Sequence, residues 1–366
     1  MGSSKRQKRL GSLFVNGLLL LLVIIWTIPT MGIFISSFRQ RGDIMSSGWW
    51  NVFPHREWET VRVIDPRAEG LDSQGVMEIE GVTGTFEELR KGVQEGNTRV
   101  VWVGNRRIGR VEVQEYNWTV TWGFTLNNYR QVLFGRSFEY EKPDGSVEVV
   151  AGESMSRAFL NSLAVTIPAT LIPILIAAFA AYAFAWMKFP GRKWMFVLII
   201  ALLAVPLQIA LVPILSDYRA LGLNGTFLGI WLAHTGFGLA LATYLLYNYV
   251  STLPRETMES AFIDGASHFK VFTSLVLPLS VPALASFAIF QFLWVWNDYL
   301  VALIFLGGKP EFELVTQRMA AMVGSRGSEW HLLTAGAFVS MVLPMVVFLA
   351  LQRYFVRGLL AGSVKG

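Results

Sequence analysis

Apolar runs recur along this chain at 13–35, 158–186, 195–216, 226–250, 279–306 and 332–352. Each approaches or exceeds the roughly 20 residues an α-helix needs to cross a bilayer core. Inside hydrocarbon, every backbone N–H and C=O must find its partner within the segment, so helices are the form these runs permit. The expected fold is an all-α polytopic membrane protein with six transmembrane helices. Only 16% of the 366 residues are charged and mean hydropathy is +0.45, whereas soluble domains carry about 25% charged residues. The first run exceeds a signal-peptide core and lacks a small-residue cleavage site, so it is expected to stay as an anchor.

Charge is spread unevenly. Residues 158–250 hold only Lys188, Arg192, Lys193, Asp217 and Arg219, whereas 37–157 hold 15 basic and 18 acidic residues. The expected organisation is an N-terminus and first helix (1–42), a polar insertion (43–155), helices two to six with a loop at 251–278 (156–352), and a tail (353–366). The insertion reads as β-rich, because Val76–Glu80 and Val111–Glu115 alternate apolar and polar as half-buried strands do. Arg99–Val103, Gly104-Asn105 and Ile108–Val113 read as strand, turn and strand, and Glu87–Val93 as a short helix. Six of the 13 Trp lie here, Trp49, Trp50, Trp58, Trp102, Trp118 and Trp122. They either fill a small core, sit at a membrane interface, or stack on a sugar or protein partner.

Lys and Arg set the orientation. Placing the N-terminus in the cytoplasm gives 1–12, 187–194, 251–275 and 353–366 twelve basic and three acidic residues, while the opposite faces balance. Positive charge belongs inside, so the 251–278 loop is expected to be cytoplasmic and the insertion external. The basic pI near 9.4 follows from this topology rather than from a nucleic-acid partner.

The most polar part of the C-terminal half is Glu259–Pro278, ESAFIDGASHFKVFTSLVLP. Arg255–Asp264 suits a short helix with Met258, Ala261 and Phe262 on one face. Asp264-Gly265 is turn chemistry, and Ser267 can cap a second helix with Val271, Phe272 and Leu275 as its stripe. Pro278 is expected to close the unit at the membrane boundary, leaving a helix–turn–helix knob with Glu259 and Asp264 exposed. A passive amphipathic helix on the bilayer is the competing reading, but it requires neither the Gly nor the Leu-Pro.

The spacing Glu259-Ser260-Ala261, then Gly265, then Leu275, Leu277 and Pro278 resembles the E-A-A-x3-G-x9-I-x-L-P loop of ATP-binding-cassette (ABC) importer permeases. It departs at Ser260, where the pattern has Ala, and at Leu275, where it has Ile. Phe124–Tyr129 (FTLNNY), Leu160–Thr166 (LNSLAVT), Ala181–Phe184 (AYAF), Leu221–Leu223 (LGL) and Gly358–Gly366 (GLLAGSVKG) resemble the second permease subunit of maltose-type carbohydrate importers. Phe292–Asp298 (FLWVWND) and Ser47–Trp50 (SGWW) are similar to the alpha-glucoside branch.

The resemblance implies the type I ABC importer fold, in a bacterial inner membrane, as one half of a heterodimer with a homologous sister permease. It implies two cytoplasmic ATP-binding subunits, which bind the ATP and magnesium, and an external sugar-binding protein. Glu259, Ala261, Asp264, Gly265, Leu277 and Pro278 would couple to the ATPase, and Gly362, Val364, Lys365 and Gly366 of the tail would touch it. The chain is thus expected to be a translocation subunit, not an enzyme and without a cofactor of its own. It has no G-x4-G-K-[ST] phosphate loop, no H-E-x-x-H or G-x-S-x-G motif, and no Cys.

Polar residues within the spans are candidates for a substrate path or for structural anchoring. They are Gln208, between Pro206 and Pro213; Trp294, Asn297 and Asp298, near the external edge of the fifth span; and His234 in the fourth. The prolines are expected to interrupt the third span and free carbonyls toward a cavity. A membrane-anchored external receptor or enzyme built on 43–155 is the alternative, but no catalytic set stands out there. A secondary transporter would need more ionisable residues inside the spans than Asp298.

Overall fold

The computed structural model describes residues 2–135, 137–141, 146–151, 154–325 and 329–361. The chain divides into two compact units, one of Met1–Ile35 with Arg39–Phe124, the other of Ser36–Phe38 with Thr125–Gly366.

In the first unit, α1 (Gly2–Phe38) is one continuous helix whose apolar side chains, Leu13, Phe14 and Trp26 among them, are exposed. Arg39 follows it and is fully buried, its guanidinium donating to the carbonyls of Asp43 and Ser47 and to Ser47 Oγ. These bonds fold back α2 (Arg41–Ser46) and a 3-10 turn, Trp49–Val52. Trp49 packs over Gly32, where a Cβ would meet the indole at 2.7 Å.

The strands follow: β1 (His55–Ile64), β2 (Val76–Ile79), β3 (Val82–Thr85), β4 (Val93–Glu95), β5 (Thr98–Val103) and β6 (Arg110–Thr119), with α3 (Phe86–Lys91) between β3 and β4. The main sheet runs β1-β6-β5-β4, antiparallel throughout, and β2-β3 is a separate hairpin. That hairpin turns on Glu80-Gly81, both at positive φ (50° and 81°), as a two-residue loop with right-handed twist requires. A capping box starts α3: Thr85 N–H and Oγ1 each reach Glu88 Oε2 at 2.8 Å. Ile64, Met77, Ile79, Leu89, Val100, Trp102, Val111 and Val113 form the core, with Phe86 edge-on to Trp102 at 5.2 Å. Trp102 therefore fills a core, whereas Trp50, Trp118 and Trp122 are exposed.

The second unit is helical. After α4 (Asn127–Phe134) and a hairpin of β7 (Ser137–Glu141) and β8 (Val147–Ala151) come α5 (Met155–Trp186), α6 (Arg192–Leu202), α7 (Leu207–Ala220) and α8 (Phe227–Val250). Then follow α9 (Arg255–Ile263), α10 (His268–Val271), a π-helical turn (Phe272–Val276), α11 (Leu277–Leu279), α12 (Val281–Asn297), α13 (Leu300–Leu306), α14 (Val315–Ser325) and α15 (Trp330–Ala361).

Among the described residues four helices are long and apolar enough to cross a membrane, Arg9–Phe38, Met155–Trp186, Phe227–Val250 and Trp330–Tyr354. Two bent pairs raise the number to six if each is one span: Arg192–Leu202 with Leu207–Ala220 (104°), and His268–Leu279 with Val281–Asn297 (70°). Ala169, Ala177, Ala178 and Ala181 line the buried face of α5, and Gly238 and Ala242 that of α8; small residues of this kind let helix backbones approach.

Three expectations about the spans change. The 195–216 run is broken over 203–206, at Pro206 as expected, but Pro213 does not interrupt it and stays inside α7. The 279–306 run stops at Asp298 and restarts as α13. Pro278 does not end its unit, because the helix from His268 passes through it to Leu279 and bends at Ser280. Pro278 has no N–H, and in an α-helix its ring would crowd the Ser274 carbonyl. The wider turn relieves this, with Leu277 N–H reaching back to Phe272 O.

Candidate functional site

The 255–280 stretch builds a two-sided object. Helix α9 ends in a Schellman motif: Gly265 N–H donates to Phe262 O and Ala266 N–H to Ala261 O, each at 3.0 Å, with Gly265 at φ +82°. Ser267 then caps α10, its Oγ accepting from Lys270 N–H at 3.3 Å. The inner side is apolar. Met258, Val271, Phe272 and Val276 are buried in one cluster with Ala178, Ala181 and Tyr182 of α5 and Leu246 and Val250 of α8. Phe272 also stacks on Phe179 at 4.4 Å. Fully burying such side chains is worth about 1.5–3 kcal/mol each, so the knob is seated on α5 and α8 rather than free of them.

The outer side carries Glu256, Glu259 and Asp264, all exposed, with Glu259 paired to Arg255 at 2.7 Å. Ala261 is half-buried in the same cluster, Leu277 half-buried and Pro278 exposed. Sequence reasoning missed Ile263 and Phe269, 85% and 68% exposed on this side. The signal for Ile263 was its place one residue outside the Met258–Ala261–Phe262 stripe. Gly362, Val364, Lys365 and Gly366 lie outside the described residues.

A second group of polar residues lies among α5, α8 and α12. His234 is buried and edge-on to Trp294 at 5.6 Å, with Nε2 4.0 Å from Asp298 Oδ2. Gln291, also buried, donates to Ala169 O (3.1 Å) and His234 O (3.4 Å), tying the three helices together. Asp298 stands at the break after α12, where its Oδ2 accepts from Ala302 N–H and its carbonyl accepts from Thr316 Oγ1. Asp298 thereby caps α13 as an N-terminal carboxylate does. The candidates thus separate. Trp294 and Asp298 come together with His234, whereas Asn297 is exposed and donates back to Leu293 O. Gln208 is exposed on α7. A cavity of about 360 Å³ opens beside Tyr299, lined also by Lys309, Glu313 and Gln317.

Residues 173–360 match the family described as the binding-protein-dependent transport system inner membrane component. The osmoprotective compounds uptake permease protein GgtD of Synechocystis is 46% identical over 347 residues, covering 95% of this chain and 90% of that one. The alpha-glucoside transport system permease protein AglG of Rhizobium meliloti is 45% identical over 382 residues, covering 95% of both. A bacterial ABC transporter involved in the import of the acidic polysaccharide alginate aligns with a TM-score of 0.48 at 21% identity, over 55% of this chain and 75% of that one.

Proposed function

This chain belongs to the family of binding-protein-dependent transport system inner membrane components, and we propose that it is the permease subunit of an ATP-driven importer of alpha-glucosides or related oligosaccharides. It works with a homologous sister permease, two ATP-binding subunits that bind the nucleotide and magnesium, and an external sugar-binding protein. Each bent pair counts as one span, which gives six. Both termini and the 255–280 knob are cytoplasmic and the insertion is external, the arrangement that the distribution of Lys and Arg supports.

The observation that carries the reading is the two-sidedness of the knob. An ATPase subunit meets Glu259, Ile263, Asp264 and Phe269 on the outer side. Its closure moves them, and the buried contacts of Met258, Val271, Phe272 and Val276 carry that movement into α5 and α8. Rigid packing makes the response a switch between two arrangements rather than a graded deformation. The bend at Ser280 lets the knob turn against α12. The Trp294–His234–Asp298 group lies along the sugar's path, and the tail residues 362–366 reach the ATPase subunits.

The test is purification of the intact complex and assay of its ATP hydrolysis with the binding protein and a panel of sugars. Stimulation by maltose, sucrose or trehalose but not by amino acids supports the reading. ATP turnover indifferent to every sugar refutes it.

A further inference from the structure

His268 joins three elements at one point. It is the first residue of α10, immediately after the Ser267 cap. Its Nδ1 lies 2.8 Å from the hydroxyl of Tyr182, which is buried on α5 one turn before that helix ends. Its ring meets Tyr182 edge-on at 6.0 Å and Phe262 of α9 at 4.9 Å. Tyr182 in turn lies 5.5 Å from the ring of Phe272 in the π-helical turn. His268 is otherwise on the exposed surface of the knob. The remaining contacts between knob and spans in this cluster are apolar and non-directional, and apolar faces can slide. Between the knob and α5 it is the Tyr182–His268 hydrogen bond that fixes a direction and a length, while Tyr249 of α8 donates its hydroxyl to Leu279 O at 3.1 Å at the far end of the knob.

It also survives either charge state of the imidazole. When neutral with Nδ1 unprotonated, the ring accepts from the Tyr hydroxyl; when Nδ1 is protonated, it donates to the same oxygen.

We propose that Tyr182 and His268 form the directional strut through which movement of the cytoplasmic knob is transmitted to α5, so that both are positioning residues for coupling ATP hydrolysis to transport. This rests on the importer reading above. Losing the strut leaves the knob seated by its apolar contacts but free to slip, so ATP is hydrolysed with less sugar moved.

The experiment uses the whole complex in proteoliposomes with its binding protein, and radiolabelled maltose, sucrose and trehalose as probes. Sugar moved per ATP hydrolysed is measured for Tyr182→Phe, which removes only the hydroxyl, and for His268→Phe, which keeps the ring packing but cannot accept a hydrogen bond. The double variant and His268→Asn, which puts a polar atom back near the Nδ1 position, complete the set. Each single variant is expected to lower the ratio about three- to tenfold, the range one ordinary hydrogen bond sets. The double variant should be no worse than either single, because one bond is lost only once, and His268→Asn should recover most of the ratio. An unchanged ratio in Tyr182→Phe overturns the strut, as do multiplicative losses in the double variant. A lowered Tm or loss of the ATPase subunits with the ratio intact also overturns it, since the pair would then merely hold the fold. If the wild-type complex moves none of these sugars in response to ATP, the importer reading itself fails, which is a different result from a coupled wild type with unaffected variants.

Discussion

Replacing Gly265 tests the proposed coupling role of the knob at the turn between its two helices. Gly265 stands at φ +82°, and a Cβ built there would meet nothing within 4 Å. A substitution therefore introduces backbone strain without a steric clash, which isolates a single effect. An L-residue in the left-handed region costs about 1–2 kcal/mol, more for a β-branched one and less for Asn. Against this stand the two Schellman hydrogen bonds, worth about 1 kcal/mol each. Alanine should thus keep the turn at a reduced margin, and Gly265→Val should exceed what the two bonds offset. A deficit of 1–2 kcal/mol is roughly a 5–30-fold loss in the population holding the native angle. Membrane insertion should be unaffected, because Met258, Val271 and Phe272 still bury the inner face. Sugar uptake and co-purification of the ATPase subunits should follow the order Gly, Asn, Ala, Val. Uptake by Gly265→Val at the wild-type rate and expression level would refute the argument.

Other outcomes follow from the same geometry. His55 pairs directly with Thr119, while Thr121 N–H and Trp122 Nε1 hold Asn51 and Val52 across the base. Replacing 55–119 with a two-residue linker should therefore leave an inserted permease, and its half-saturating binding-protein concentration should rise; an unchanged value refutes a docking role for the insertion. Hydrogen bonds from Thr85 hold the Glu88 carboxyl below its ordinary range. Its contribution is therefore present above the unfolded carboxyl value and lost as pH falls through the lower, folded one. Glu88→Gln should flatten the acid limb of the insertion's stability curve, read by Trp fluorescence. Deleting Ala361–Gly366 should lower sugar-stimulated ATP turnover while the permease stays in the membrane, and an unchanged rate makes the tail dispensable.

The apolar runs were legible because hydropathy reports length, and length decides what can cross a bilayer. Their breaks were not legible in the same way. Val197 to Ile214 reads as one apolar stretch in which Pro206 and Pro213 were equal candidates for a break, and composition did not say that only the first would bend, by 104°. In the insertion, Val76–Ile79 and the 98–113 hairpin followed their alternation, but β1 was missed. Its register slips between Thr60 and Arg62, and a bulge of one residue inverts the alternation on which strand reading depends.

The candidate site divides by the distance over which its residues meet. Gly265 and Ser267 each bond to a neighbour three positions away, so turn and cap chemistry exposed them in the sequence. Tyr182 and His268 are 86 positions apart, and neither stands out by type. Asp298 shows the intermediate case. As an acidic residue in an apolar run it was conspicuous, and a carboxylate in hydrocarbon must have a reason. The sequence pointed to a substrate path or a structural anchor. In the fold the side chain accepts from Ala302 N–H, starts α13 and approaches His234. The Asp298 backbone N–H closes α12 on Val295 O, and its carboxylate is already engaged by Ala302 N–H in the first turn of α13, a cap worth about 1 kcal/mol. On the importer reading proposed above, Asp298 is expected to act by fixing where Trp294 and Tyr299 stand, so that Asp298→Asn, which keeps an acceptor for Ala302 N–H, should disturb transport far less than Asp298→Ala.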